Sequence, residues 1–249
     1  MELNFTNSSD EFFINMDLHT ALPLPRQRET VLQFSEIVQK QFPIMSEFYQ
    51  RETGEYVLES DRTAGTYQWM ELSKKRLSSG VFNPLQVDDA YQQHTWILDR
   101  SRYFLGVSHL DVESLDLVYG FNLEYMGNRD ALVHDSLLEG SLLGAVADLS
   151  DGIVLNFEPI LIFAIEDDCS LQARLAIETH NNIYQIRSDD YTDDPISIYF
   201  TLRAHRRPGE KFDPVKSLKH QAKIGEDLLA RIVIPRIVRP IALAIAADQ

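Results

Sequence analysis

The stretch LDLVYGFNLEY, residues 115–125, puts Leu115, Leu117, Tyr119, Phe121, Leu123 and Tyr125 at alternate positions. A period of two sustained over that length describes a β-strand with one face in a core. Six large apolar side chains on one face need a cover of comparable size, so the neighbouring segments decide the fold class. Upstream, residues 12–18 form a strand. Residues 26–41 form a helix with Val31, Phe34, Val38 and Phe42 at three- and four-residue spacing, stopped by Pro43. A hairpin of residues 44–50 and 55–60 turns about Glu52-Thr53-Gly54. A strand over 66–77 follows, then a helix from Pro84 with Val87, Tyr91, His94, Ile97 and Leu98 along one stripe.

Downstream the order begins again. Asn128 caps a helix running to about residue 148, and Ser150-Asp151-Gly152 turns the chain. Residues 153–165 and 170–180 form a hairpin around Asp167-Asp168, with Pro159 at a bulge or an edge position. An acidic loop over 187–195 leads to a strand over 196–205, and a last helix starts at Pro214.

Both halves therefore read strand, helix, strand, strand, strand, helix. The expected fold is α+β: two tandem repeats, residues 1–110 and 111–249, each an antiparallel sheet covered by helices, in one compact unit with a C-terminal helical tail. A local match supports the repeat. Lys74-Lys75-Arg76 precedes Gly80 and Phe82-Asn83-Pro84, and Arg206-Arg207 precedes Gly209 and Phe212-Asp213-Pro214. In each, Asn or Asp is the N-cap, Pro takes the first helical position and Phe stands ready to staple the first turn. A generic strand-to-helix junction uses the same residues. In element order alone, the succession resembles the TATA-binding-protein-like and helix-grip folds. No sequence motif of either is present, so the resemblance implies topology and not function.

At 249 residues, 44% hydrophobic and 24% charged, the chain is long enough to bury a core, and it is neither fibrous nor wholly disordered. Its net charge of −15 is uneven: residues 1–200 hold 13 Lys+Arg against 33 Asp+Glu, and residues 201–249 hold 10 against 5. An acidic body of this size argues against duplex nucleic acid as a general partner. Cys169 is the only cysteine, so no intramolecular disulfide or cysteine-based metal site forms, and a cytoplasmic location fits. The first 13 residues lack the basic start and apolar run of a signal peptide, which makes the Asn7-Ser8-Ser9 sequon accidental. Residues 228–247 are mostly apolar but carry Arg231, Arg236 and Arg239, each costing about 3 kcal/mol at membrane depth, so no transmembrane segment is expected. Pro235 and Pro240 predict a kinked tail packed along the body, against the alternative of docking to an acidic surface or a partner.

Two sets of residues are candidates for function. Arg203, Arg206 and Arg207, together with Lys74, Lys75 and Arg76, leave two strands just ahead of helix N-termini and form a ligand-binding site for a phosphate or carboxylate if the fold brings them together. Pairing with local acids is the ordinary alternative. Glu178, His180 and His205, near Tyr199 and Arg203, carry the residue types of acid–base catalysis. Cross-strand salt bridging needs the same residues, and no nucleophile or oxyanion donor is identifiable. Asp189, Asp190, Asp193 and Asp194 lack the glycine and glutamate of a calcium loop, and the seven histidines show no H-E-x-x-H spacing. No metal and no cofactor are expected. Gly140 and Gly144, four apart in the predicted helix, read as a close-packing face.

These observations favour a binding or assembly module that holds a partner protein or a small anionic ligand between its two repeats. A hydrolase or transferase using His/Glu chemistry on an anionic substrate is the first alternative, and its test is whether those side chains converge. The second is a helix-grip-type carrier with an apolar cavity lined by Tyr119, Phe121, Trp69 and Met70, residues that an ordinary core also requires.

Overall fold

Strand β1 (Glu11–Thr20) buries Phe12, Ile14, Met16 and Leu18, and β6 (Val112–Leu123) buries Leu115, Leu117, Tyr119 and Phe121. The two pair antiparallel, with Phe12 opposite Phe121 and Leu18 opposite Leu115, so both apolar rows face the same side. This computed structural model describes residues 8–63, 65–148 and 152–248. Asn7 and the first two residues of the Ser150-Asp151-Gly152 turn lie outside them.

From the central pair the sheet grows outward on both sides. In the first half come β5 (Arg76–Phe82), β4 (Tyr67–Leu72), β3 (Tyr56–Glu59) and β2 (Glu47–Gln50); in the second come β9 (Ile196–His205), β8 (Leu171–Glu178) and β7 (Ile160–Ala164). The order is β2-β3-β4-β5-β1-β6-β9-β8-β7, and every pair is antiparallel. The fold is thus α+β, and the strands of the two halves share one nine-stranded sheet. Each half, taken alone, would leave its first strand as a bare edge with unpaired amides and carbonyls, and joining β1 to β6 satisfies both at once.

One sheet face is covered by helices. α1 (Arg28–Gln41) packs on β3 with Val31, Phe34 and Val38 buried, and α2 (Val87–Phe104) and α6 (Pro214–Leu228) lie beside each other over the centre. Buried glutamines tie these two helices to strand carbonyls. Gln221 Nε2 donates to Leu115 O and Leu202 O, both at 2.8 Å, and Gln93 Nε2 donates to Gly80 O at 3.1 Å and Trp69 O at 3.3 Å. Gly225 lets α6 lie on the Tyr119 ring, because a Cβ there would stand 2.6 Å from Tyr119 Cε2. His94 of α2 is fully buried with its Nδ1 2.6 Å from Ser79 Oγ.

Several expected boundaries move. The strand expected over 66–77 is the hairpin β4–β5, closed by Ser73 N donating to Arg76 O at 2.9 Å, so Lys74 and Lys75 occupy a hairpin tip and do not precede a helix. Asn83 takes a left-handed φ of 46° and its Oδ1 accepts from Phe12 N at 3.0 Å. It serves the end of β1, and the start of α2 is closed instead by Gln86 N donating to Asp89 Oδ2 at 3.2 Å. Asp213 does cap α6, accepting from Val215 N at 3.1 Å and Lys216 N at 3.2 Å, with Pro214 in the first turn. The long helix expected after Asn128 is two short ones, α3 (Arg129–Leu138) and α4 (Gly144–Asp148), because Gly140 turns the chain at φ 71°. The close-packing helix face expected at Gly140 and Gly144 therefore does not form. A short helix, α5 (Ile183–Ser188), precedes the acidic loop.

The C-terminal segment continues α6 as a wider-wound π-helical stretch (Leu229–Val238) and then α7 (Arg239–Asp248). The wider winding carries the chain past Pro235, which has no N–H to donate, so the expected break is absent. Leu229, Val233, Ile234, Val238, Ile241 and Ile245 are buried on the body, α7 packs against α3, and Arg231 pairs with Asp227. No helix among the described residues is long and apolar enough to cross a membrane.

Two outcomes follow from this packing. Truncation after Asp227 removes six buried apolar side chains, each worth about 1.5–3 kcal/mol, against a total stability of about 5–15 kcal/mol for a natural domain. The truncated chain is expected to lose its cooperative thermal transition in calorimetry. Burial also drives the His94 pKa down to about 3, opposed by a contact with the Ile14 backbone. The unfolded chain then binds a proton that the folded one refuses, so stability is complete above the ordinary histidine value and falls as pH drops from there toward 3. A His94→Gln variant should show a shallower fall of Tm between neutral and mildly acid pH than the natural chain.

Candidate functional site

The uncovered sheet face collects the odd-numbered residues of β1 and the even-numbered residues of β6 and β5. In register, Asp17 stands between Ser78 of β5 and Asp116 of β6, and Asp116 stands opposite Arg203 of β9. Arg203 grips Asp116 with two hydrogen bonds, Nε to Oδ1 at 2.7 Å and Nη2 to Oδ2 at 2.5 Å, and His19 Nε2 lies 3.5 Å from the same carboxylate. On the other side, Arg76 reaches Glu71 at 3.0 Å and Asp17 at 3.7 Å, and Arg51 holds the second oxygen of Glu71 at 3.0 Å. The result is a row of paired charges across five strands, with the two acids Asp17 and Asp116 side by side at its centre, each held by its own base. Burial raises the Asp116 pKa, but Arg203 and His19 together outweigh it and hold the carboxyl below its ordinary value.

The six expected ligand-binding residues are therefore dispersed and largely occupied. Arg203 and Arg76 serve the charge row. Arg206 Nη1 donates to Leu110 O at 3.0 Å. Arg207 closes the β7–β8 turn by pairing with Glu166 and, at 2.7 Å, with Asp168. Lys74 and Lys75 are exposed at their hairpin tip, where their carbonyls accept from Leu24 N and Thr20 N. The candidate acid–base residues do not converge either. Glu178 faces Ser197 at one end of the β8–β9 ladder, while His205 ends β9 eight residues further on, about 26 Å away at strand rise. His180 is exposed beyond β8 at a left-handed φ of 57°. Trp69 and Met70 cannot line one cavity, because neighbouring strand residues point to opposite faces. Met70 is in the core, and the Trp69 indole lies on the uncovered face beside Gly80.

A different place has the geometry of a binding site. Between α2 and α6, on the covered side, runs a cleft of about 800 Å³. Its apolar surface comes from Phe42, Trp96 and Leu218, with the Phe42 and Trp96 rings meeting edge to face at 5.6 Å. The α2 wall carries Asp88 and Asp99, and the α6 wall carries Lys219 and Lys223. At the bottom, Tyr91 Oη is 2.7 Å from Tyr119 Oη, with Glu226 beside Tyr91. Burial raises both phenol pKa values far above their ordinary range, so both hydroxyls stay protonated and can donate.

The sequence holds a trace of this cleft: Lys219 and Lys223 are four apart on α6, and Trp96 and Asp99 three apart on α2, so each pair shares a helix face. Spacing along one helix does not reveal which other helix that face will meet. No known protein family matches the chain, and no curated protein matches it.

The Asp116–Arg203 pair has a stability signature that can be measured. Arg203→Ala leaves a buried carboxylate with one weaker partner and should cost about 1–2 kcal/mol in urea unfolding at neutral pH, discounted for the half-exposed guanidinium. Because the folded pKa of Asp116 is depressed, this contribution exists above the ordinary carboxylate pKa and disappears as pH falls through the folded value. Natural and variant chains should therefore converge in stability at strongly acid pH.

Proposed function

We propose that the protein is a binding module that holds a segment of a partner protein in the cleft between α2 and α6, the closing helices of the two halves. The observation that carries this is the opposition of charge across a partly apolar cleft: acids on the α2 wall, lysines on the α6 wall, and an apolar lining that includes Trp96 of α2 and Phe42 at the end of α1. A small anionic ligand is the poorer fit, since Asp88, Asp99 and Glu226 share the cleft with its two lysines. A polypeptide segment with an apolar or aromatic anchor, a base toward α2 and an acid toward α6 satisfies all three features.

The mirrored strand order about β1 and β6 supports descent of the halves from one duplicated unit. A cytoplasmic setting is supported by Cys169, the sole cysteine, which is exposed and free. The scattered positions of Glu178, His180 and His205 favour no catalytic reading.

Panning a displayed random-peptide library on the full chain tests the proposal. Selected peptides should carry both charges around an apolar residue, and should lose about tenfold or more in affinity on a Lys219→Glu/Lys223→Glu variant. A Lys74→Glu/Lys75→Glu variant, with its changes at the distant hairpin tip, should bind them as the natural chain does. Peptides indifferent to the α6 reversal, or a library that yields no binders, would refute the cleft as the site.

A further inference from the structure

The two halves differ in where the helix after the opening strand packs. In the first, the helix that follows the opening strand packs on the second strand from the edge: α1 lays Val31, Phe34 and Val38 on β3, and the edge strand β2, with Glu47 and Gln50 among its four residues, stays exposed. In the second, the helix that follows β6 packs chiefly against α7, and β8 buries Leu171, Ala173 and Ile177 while β7 beyond it does not. The edge strand β7 is apolar at all five positions and exposed at all five, with Ile160, Leu161 and Ile162 each 59% exposed. Its pairing is with β8 alone, so its outer backbone groups are free of a sheet partner.

Natural edge strands are ordinarily protected by a charge, a proline, a bulge or a cover. β7 has no charge or proline within Ile160–Ala164, and all five of its residues are exposed. Nor is it a loose loop. Asp130 Oδ1 accepts from Phe157 N at 2.6 Å, Asn128 Nδ2 donates to Val154 O at 2.9 Å, and Glu158 Oε1 accepts from Thr179 N at 2.9 Å, so the chain leading into β7 is fixed to the body.

The same half also holds an exposed apolar segment that leads into α4, a helix seated on α3 through the buried Gly144. Leu142, Leu143 and Val146, in and just before α4, are 95%, 63% and 62% exposed. The chain thus presents an exposed apolar edge strand and, in the same half, an exposed apolar turn and first turn of α4. We infer that the protein forms a two-fold dimer in which the β7 strands of two copies pair antiparallel and α4 of each copy covers the helix-side face of β7 in the other.

The strand is self-complementary in that arrangement. With the axis at Ile162, Ile162 meets itself, Leu161 meets Phe163 and Ile160 meets Ala164, so apolar residues oppose apolar ones on each face. A single strand donated by some other protein would leave the Leu161 and Phe163 side of β7 bare. A second copy brings both missing parts, and an isologous contact supplies them reciprocally. One feature opposes the pairing: Glu158 of one copy comes opposite Glu166 of the other, between chains of net charge −15. Added salt should therefore strengthen the dimer.

Sedimentation equilibrium of the full chain at low and high salt reads the outcome. The natural chain should be a dimer that tightens with salt. Ile162→Lys, which adds an edge-strand charge at an exposed position, should weaken it by about 30-fold or more, and Leu142→Glu/Leu143→Glu should do the same. Leu85→Glu, at an exposed leucine elsewhere, should leave it unchanged. Circular dichroism of each variant confirms folding. A monomer at every attainable concentration, or a dimer that survives either the Ile162 or the Leu142/Leu143 substitution, overturns the proposal.

Discussion

The pairing of β1 with β6 is the contact on which the rest of the molecule depends. It joins two strands whose apolar residues fall on the same side, so a single decision about which face is buried propagates across all nine strands. A slip of one residue there would turn Phe12, Ile14, Met16 and Leu18 outward and carry Asp17 and His19 into the core. The same pairing sets the two helices that close each half side by side. Gln221 and Gln93 then fasten those helices to strand carbonyls, and the space left between α2 and α6 is the cleft.

The two sheet faces solve opposite problems with the same strands. On the covered face, apolar side chains interlock with helices and leave room for very few polar groups, so His94, Gln93 and Gln221 each have a specific partner. On the uncovered face, acids pair with bases from Arg51 to Arg203 and are neutralised across strands. At the other end of that face an aromatic group takes over, with Phe13 stacked on Phe82 at 4.5 Å and Tyr199 edge-on at 6.1 Å. Arginines that might have served an external anion are consumed in holding the sheet's own surface together.

The second half carries the departures from symmetry. Arg129 and Asp130 are fully buried where β6 gives way to α3. The guanidinium donates to the carbonyls of Tyr125, Thr179 and Thr192, and the carboxylate accepts from Phe157 N and Thr179 Oγ1. These two residues anchor the chain on both sides of the β7–β8 hairpin. The edge strand of this half, β7, is left exposed along its length, and large exposed apolar side chains of this half gather between Leu142 and Phe163.

Alternation along 12–18, 115–125 and 196–205, and the apolar stripe of 26–41, were legible in the sequence because strand and helix periodicity is a local property that burial of one face imposes. The α+β class and the cap at Asp213 followed from it, while the turns that split 66–77 into two strands and the helix after Asn128 into two did not show in the periodicity. Asn83 looked like a second such cap, yet tertiary pairing with Phe12 claimed its side chain, since a cap is worth no more than a strand-end hydrogen bond. The basic residues were visible but their partners were not: Arg203 meets Asp116 across 87 positions of sequence, and only strand register puts them together. The cleft is of the same kind, because Trp96 and Lys219 face each other only once β1 and β6 have paired. What the sequence determined by itself is which faces are apolar. Which faces meet, and so which charges are spent and which surfaces remain open, the tertiary structure decided, because contacts between distant segments depend on how the strands and helices assemble.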